Sequence, residues 1–504
     1  MSNKFEHEMY AVVSSTRALL LIELNSKRTV PLEWHRGEYY GMSWFPEADD
    51  LVLSHSLLDN ERLVDIGTYA RSEVGVLSVG PRETQGFLSQ PHQIVCGSDG
   101  RVICTNTGRN AICIVDLTRP DIIQEARISA ARWDRLGAEN LVGDHLNSVF
   151  EKNGLLYVIA HGYSKGSALA TFTYPDMQLI GVERLKHRSG LHNIWVTDEG
   201  QRIACHSDLG SLIELNSNSV LWESGFPMYS RGLAATPDFV LVGESQKSAR
   251  DGRRGSMSGI WVLDRKTWQP MDYLFLGPYG GVHDVRLLNV PDEAHHCHVF
   301  AGTAALLARS SGGALAEARI AASKRRHFAY EAWKSFEVIF GSPEARDDGS
   351  LMASLDDLCL MTKAPTDAVE IGFEYKIEPS AVAAHVSVVA YAGVGSDTDM
   401  NAALIQCVSE DECRMSMWVH DGTRWAAESA QPILGLPLRG RVRLTRGNAG
   451  IQLDIDGRAI ASELLGGMRA RGGRLGVRWS GAALFPLRTD EERPRPGSEK
   501  APDS

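Results

Sequence analysis

HNIWVTDEGQRIACHS, residues 192–207, decides how this chain folds. Two short apolar runs flank the polar turn TDEG, whose glycine supplies the left-handed position that a tight loop needs, so the stretch reads as an antiparallel strand pair. The same unit recurs as HQIVCGSDGRVICTNT from His92, NSVFEKNGLLYVIAHG from Asn147, RGLAATPDFVLVGES from Arg231 and, more divergently, GMSWFPEADDLVLSHS from Gly41. A sixth copy opens with VHDVRLLN at Val282 and resumes at HVFAGT after the insertion PDEAHH. Measured from Gly41, His92, Asn147, His192, Arg231 and His283, the copies are 39 to 55 residues apart, the period of propeller blades built from about four short strands.

Outer strands follow most hairpins, as in AICIVDL, ALATFTY, SLIELN and GIWVLDRKTWQP, but the sixth copy has none. The N-terminal segment MYAVVSSTRALLLIELN offers them. Residues 1–308 are therefore expected to form an all-β, six-bladed β-propeller whose last blade is closed by the chain's first strands, since an unclosed ring leaves exposed edges.

Equivalent positions of a propeller converge on its axis. The residues opening the innermost strands are Gly41, His92, Asn147, His192, Arg231 and His283, with His145 two residues before Asn147 on the same strand face. Those closing the second strands are His55, Asn106, His161, His206, Glu244 and Gly302. A hairpin returns its second strand to the end where the first began, so both series are expected at one rim. Neutral imidazoles converging on an axis suit a divalent transition metal, Fe(II) favoured over Mn, Co, Cu or Zn. The expected ligands are His92, His192, His283 and His145. Glu244, His206 and His161 are the expected orienting or proton-transfer groups. Arg231 is expected to hold an anionic part of the substrate, with Asn147, Tyr229, Tyr163 and Tyr279 around it. HHCH at 295–298 is read as a solvated loop with a buried Cys297, and RDGRRGS at 250–256 as a surface loop.

Composition narrows the classes of function. The formal charge of −11 and the short basic clusters argue against a nucleic-acid partner. No apolar run is long enough to span a bilayer and no secretion signal is visible, so a cytoplasmic protein without a membrane partner is expected. The 8 cysteines are scattered without a CxxC pair and read as free thiols.

The histidine-rich axis resembles the sites of two groups of metal-bearing propellers. Carotenoid-cleavage oxygenases carry four histidines around Fe(II); oligogalacturonate lyases carry three histidines and a glutamine around Mn(II). Both have seven blades, so the resemblance lies in the site and not in the sequence family. Six blades resemble the lactonase and strictosidine-synthase-like propellers, which use Glu, Asp and Asn at the axis. The whole layout also resembles the WD-repeat-like proteins of bacterial natural-product gene clusters, including that of the azapteridine toxoflavin, although no WD or GH signature stands at the blade positions.

After a linker at 309–328 the pattern changes to strands of six to ten residues separated by turns, including VEIGFEYKI, HVSVVAYAGV and CRMSMWVHDG. That is a sandwich pattern. RVRLTRGNAGIQLDIDGRAI followed by GGRLGVRWSGAALF resembles the closing hairpins of concanavalin-like or laminin-G-like jelly rolls. Residues 329–486 are expected to form such an accessory sandwich, through which copies of the chain can associate, and 487–504 a disordered tail. Trp333, Trp418 and Trp425 offer either a sugar platform or core.

The functional expectation is a metal-dependent enzyme acting on a small polar molecule, with redox chemistry in specialised metabolism first. A lyase or hydrolase using the metal as a Lewis acid is the alternative, and a non-enzymic scaffold binding glycan or protein the third reading.

Overall fold

The computed structural model describes residues 7–487, apart from 34–37, 57–65, 70–89, 117–122, 132–142, 163–164, 186–189, 225–227, 249–252, 311–332, 334–335, 341–343, 347–349, 354–357, 363–368, 381–382, 392–399, 421–424, 428–432, 448–449 and 461–473. Most of the expected linker and tail, and Tyr163, lie outside the described residues.

Six small antiparallel sheets follow one another along the chain. The first is Glu38–Ser43, Leu51–Ser56 and Ile66–Tyr69; the second Pro91–Cys96, Val102–Asn106, Ala111–Val115 and Ile123–Ala126. The third is Leu146–Lys152, Leu155–Ala160, Ser167–Thr173 and Leu179–Leu185; the fourth Leu191–Val196, Arg202–His206, Ser211–Glu214 and Ser219–Glu223. The fifth is Met228–Ala235, Phe239–Gln246, Ser258–Asp264 and Pro270–Gly277. In the sixth, Val282–Leu287 pairs with Tyr10–Ser15, which leads to Leu19–Glu23 and Arg28–Glu33. The N-terminus thus supplies three strands of that sheet. HVFAGT contributes none: it forms the turn into the helix Thr303–Ser310, and Tyr10–Ser15 takes the place expected for it.

Turn chemistry sets the hairpins. Asn153 and Gly154 both have positive φ (54° and 74°) and join Lys152 to Leu155, as a two-residue hairpin loop of mirror-image type requires. Gly100 and Gly200 hold the same left-handed conformation at φ 82° and 80°. Apolar side chains alternate out of each strand and meet those of the next sheet. Phe150, Ile159 and Leu169 of the third sheet pack with Trp195 and Ile203 of the fourth, and Val52 of the first packs with Ile94 and Cys104 of the second. The innermost strands touch in chain order and the last, Val282–Leu287, touches the first, Glu38–Ser43. This closed, propeller-like ring leaves its core between neighbouring sheets and its axis to polar groups.

Two larger antiparallel sheets follow, of eight and seven strands. They share one core, in which Val386, Val388 and Val477 of one meet Phe373, Tyr375 and Leu444 of the other. Alternation sends Val389, Ala402, Leu404 and Trp418 of the eight-stranded sheet to its opposite face, against Trp261, Tyr273 and Phe275 of the ring's fifth sheet. The guanidinium of Arg478 lies 4.6 Å above the Phe275 ring. Val389, Ala402, Leu404 and Trp418 are buried against the ring. Trp333 and Trp418 are buried, so neither belongs to an exposed sugar platform. No helix among the described residues is long and apolar enough to cross a membrane.

Candidate functional site

The axial end of every sheet carries the same irregularity. In each, the innermost strand has one residue more than its partner, where register shifts between Tyr39 and Met42, Pro91 and Ile94, Leu146 and Ser148, His192 and Ile194, and Ser230 and Leu233, and opposite Ser14 and Ser15. A bulge bends the strand and re-aims a side chain. Here it turns one polar residue per sheet towards the axis: Tyr40, His92, Asn147, His192, Arg231 and His283. Tyr40 occupies the position expected for Gly41. Gly41 is instead a close-approach residue, because a Cβ there would lie 2.6 Å from the His92 carbonyl oxygen.

Hydrogen bonds pass from sheet to sheet just behind this ring. The Ser14 hydroxyl donates to the Tyr40 carbonyl, and the Ser54 hydroxyl to the His92 carbonyl. Thr107 Oγ1 donates to the Leu146 carbonyl at 2.5 Å, and Asn147 Nδ2 to the Leu191 carbonyl at 2.9 Å. Ser230 Oγ donates to the Ser211 carbonyl at 2.9 Å, and the Val282 amide to Ser245 Oγ at 2.7 Å. Each sheet is thereby tied to the next around the full circle, fixing the backbone from which the axial side chains project.

The rim encloses a cavity of about 270 Å³. His92, His145, His161, His192, His283, Tyr229 and Arg231 line it, with Thr16, Glu38, Tyr40, Lys247 and Arg253, none of which the sequence reading included. Four imidazoles form an arc along one side. Ring centroids are 5.3 Å apart for His92 and His145, 5.4 Å for His145 and His161, and 5.3 Å for His161 and His192, each pair edge to face. Tyr40 stacks on His92 at 4.1 Å and lies 4.7 Å from His283, and Tyr229 continues beyond His192 at 5.6 Å. The contiguous set is thus His92, His145, His161 and His192. His283, expected among the metal ligands, stands beyond the Tyr40 ring, its Nε2 3.3 Å from Thr16 Oγ1.

Local structure fixes these rings. His92 Nδ1 donates to the Gln90 carbonyl at 2.8 Å. His192 Nδ1 faces the Gly190 carbonyl at 3.2 Å and Ser207 Oγ at 2.8 Å. A proton on Nδ1 leaves Nε2 as the basic nitrogen in both. His145 holds a left-handed φ of 54°. Its neighbour Asp144 is anchored by the Asn110 side chain, whose Oδ1 accepts from the Asp144 amide at 2.8 Å, and by the Ser129 hydroxyl. The His145 carbonyl accepts from the His161 amide at 2.9 Å. Burial pushes the His192 and His283 imidazoles well below their ordinary pKa, and the charge of Arg231 adds to the effect in each. Both stay neutral at physiological pH.

Four expected site residues are elsewhere. Asn147 points one layer deeper, into a pocket of about 10 Å³ that it shares with Tyr40, Arg231 and His283. His206 is paired with Leu191, a core residue, and so shares the sheet face turned away from the cavity. Glu244 is paired with Ser230 and is fully buried, its Oε2 accepting from the Ser224 hydroxyl and from Trp261 Nε1 at 2.8 Å. Burial raises its pKa to about 7. The physical reason is a slip of one residue between series. His161 follows Ala160, the partner of Leu146, and is therefore equivalent to Ser207 and not to His206. A slip of one reverses the face. Thr16 and Ser245 occupy the same position as His161 in their sheets, and the first of them becomes visible only once the N-terminal strands are placed in the ring. Tyr279 is packed in the core between the fifth and sixth sheets.

A second cavity, of about 280 Å³, is lined by Val95, Phe150, Lys152, Trp195 and His295–Cys297. In this insertion His295 is buried, with Nε2 donating to the Leu233 carbonyl at 2.8 Å, and Cys297 is exposed, the reverse of the expected arrangement.

No family model and no curated protein matches the chain. Among solved structures it is similar to a nidogen/laminin complex, at 11% identity and a TM-score of 0.40, over 55% of this chain and 98% of that one. It is also similar to a protein of unknown function from Bacteroides caccae, at 13% identity and 0.38, over 56% and 99%. A catalytically inactive virginiamycin B lyase from Staphylococcus aureus with quinupristin is similar at 14% identity and 0.32, over 48% and 78%. These likenesses carry no argument about function.

Proposed function

We propose that the rim cavity of a six-bladed propeller is the active site of an enzyme for a small polar substrate, with a divalent transition metal held by the arc of His92, His145, His161 and His192. The observation that carries this reading is the arc itself. Two imidazoles bonded to one metal at about 2.1 Å hold their ring centroids roughly 5 Å apart, which is the interval repeated along it. In His92 and His192, Nδ1 faces a backbone carbonyl, which leaves Nε2 as the nitrogen that can bind metal. As placed, no three His, Cys, Asp or Glu side chains among the described residues converge tightly enough to hold an ion, so ligation requires the rings to turn inward from their edge-to-face contacts.

A metal bound there supplies either one-electron chemistry, for which Fe(II) is the first candidate, or Lewis acidity for a lyase or hydrolase reaction. The protein's own contribution is enclosure and orientation. Tyr40 and Tyr229 flank the arc, and Thr16, Tyr229 and His283 offer hydrogen bonds to a polar ligand. Dioxygen dependence separates the two chemistries. The C-terminal pair of sheets, read as a concanavalin-like sandwich, serves as an accessory unit packed on the ring. A place in specialised metabolism, toxoflavin-type pathways included, rests on resemblance of layout alone.

Cobalt(II) titration followed by visible absorption tests the proposal. Saturable d–d bands at about one equivalent, lost in His145→Ala, are expected for imidazole ligation. Bands that are absent, or unchanged in His145→Ala and His161→Ala alike, would remove the arc as the metal's seat.

A further inference from the structure

Two arginines of the ring, Arg231 and Arg286, are buried among the described residues, and they differ in their partners. Arg286 donates to the Met42 carbonyl and to His296 Nε2 at 2.9 Å, and Arg265 lies 4.0 Å over the Trp195 ring with Glu293 at 3.9 Å. Lys27 is paired with Asp272 at 2.7 Å. Arg231 is only 7% exposed, yet among the described residues it makes no hydrogen bond and no ion pair. The Tyr40 ring lies 5.7 Å from its guanidinium carbon, and Tyr229 and Glu38 are near enough to favour its charge. A guanidinium carries five N–H donors and keeps its charge in proteins, so burial without partners is costly. Within the chain only the electrostatic fields of Tyr229, Tyr40 and Glu38 offset that cost, and no acceptor is bonded to the fork among the described residues. Arg231 lines both the rim cavity and the small pocket beneath it.

The surroundings favour an anion. Arg253 is a second guanidinium at the rim. Its turn, Arg253–Gly255, is held by the C-terminal sheets, where Gln406 Nε2 and Arg414 Nη2 donate to the Gly255 carbonyl at 3.0 and 2.9 Å. Lys247 is matched by Asp208 at 3.0 Å, and Glu38 accepts from the Tyr40 hydroxyl. The formal charges lining the cavity are three positive (Lys247, Arg231, Arg253) and two negative (Glu38, Asp208). The His192 and His283 imidazoles, kept neutral by burial, add nothing to either side. The volume, about 270 Å³, stands at the small end of ligand pockets.

We infer that the cavity takes a small ligand bearing a carboxylate or phosphate group, and that the buried fork of Arg231 recognises that group, with Arg253 closing over it from the rim. The inference rests on reading the cavity as a small-molecule site, but not on the metal. A planar guanidinium meets either oxyanion with two parallel N–H donors, so it fixes orientation as well as charge.

The test uses the full chain after removal of metal with a chelator, with inorganic phosphate and benzoate as probes. Saturable binding of at least one probe is expected by calorimetry, with a matching rise in Tm, since a ligand that binds only the folded state stabilises it. Arg231→Met should bind at least about tenfold more weakly. Its own Tm without probe should be equal to or above that of the unsubstituted protein, because an unpartnered buried charge has been removed. A merely structural arginine would show the opposite. If Arg231→Met does not fold, Arg253→Ala at the rim carries the same comparison of affinity. No saturable binding of either probe, or equal affinity in the variants, would overturn the inference. Metal that loads normally while the anions fail leaves the metal reading standing, and anions that bind while no metal does leave the anion site standing.

Discussion

Glu244 shows how a single residue departs from its apparent role. A carboxylate at the end of a strand that leads to the axis suggests proton transfer, but its partners are Ser224 and Trp261, behind the cavity wall. Its pKa rises from 4.5 to about 7 because burial penalises the charge more than those bonds favour it. Below about pH 4.5 it is protonated both folded and unfolded and costs nothing. Between that value and about 7 the folded protein keeps a proton that the unfolded chain gives up, so stability falls as pH rises, by on the order of 3 kcal/mol in full. Glu244→Gln should therefore gain Tm relative to the unsubstituted protein as pH is raised from about 5 to about 8. Parallel Tm profiles over that range would show that the carboxyl is already ionised when folded.

The recurrent bulge is the feature of the individual sheets that builds the site. Its tightest point is Gly41, where an added Cβ would meet the His92 carbonyl oxygen at 2.6 Å and Ile94 N at 2.7 Å, backbone atoms that cannot move aside cheaply. Gly41→Ala is expected to cost about 1–3 kcal/mol, as overpacking does, and to weaken metal binding through displacement of His92. Unchanged Tm in thermal unfolding would contradict the close approach. The turn carrying Arg253 makes a second case. Arg414→Ala removes one donor from the Gly255 carbonyl, and loss of one hydrogen bond of about 1 kcal/mol predicts phosphate affinity lowered about fivefold, with Arg414→Lys partly restoring it. Equal affinity in Arg414→Ala would show that the C-terminal sheets do not place Arg253.

Across the whole molecule, the sequence reading reached the propeller-like, all-β character because turn glycines and apolar runs recur at a regular interval, and each hairpin is a local structure. It reached His92, His192, Arg231 and His283 because their strands align at the bulge without adjustment. It missed Tyr40 by aligning on the neighbouring glycine. It placed His206 and Glu244 at the rim through a one-residue slip, and two-residue alternation turns such a slip into the wrong face. Thr16 and Arg253 were out of reach for another reason. One arrives through pairing of the chain's first strands with Val282–Leu287, and the other stands on a turn held by residues more than a hundred positions later. Both depend on contacts that no local pattern carries.

The central claim is that the imidazole arc, rather than the two rings of polar residues read from the repeats, is the chemical centre. Elemental analysis tests it most directly, on protein purified without added metal or a metal-chelating tag, with His161→Ala and His206→Ala prepared alongside. The account predicts about one transition-metal ion per chain, lost in His161→Ala and kept in His206→Ala. Absence of metal from all three even after anaerobic loading with Fe(II), Mn(II) and Co(II), or loss in His206→Ala with retention in His161→Ala, would contradict it.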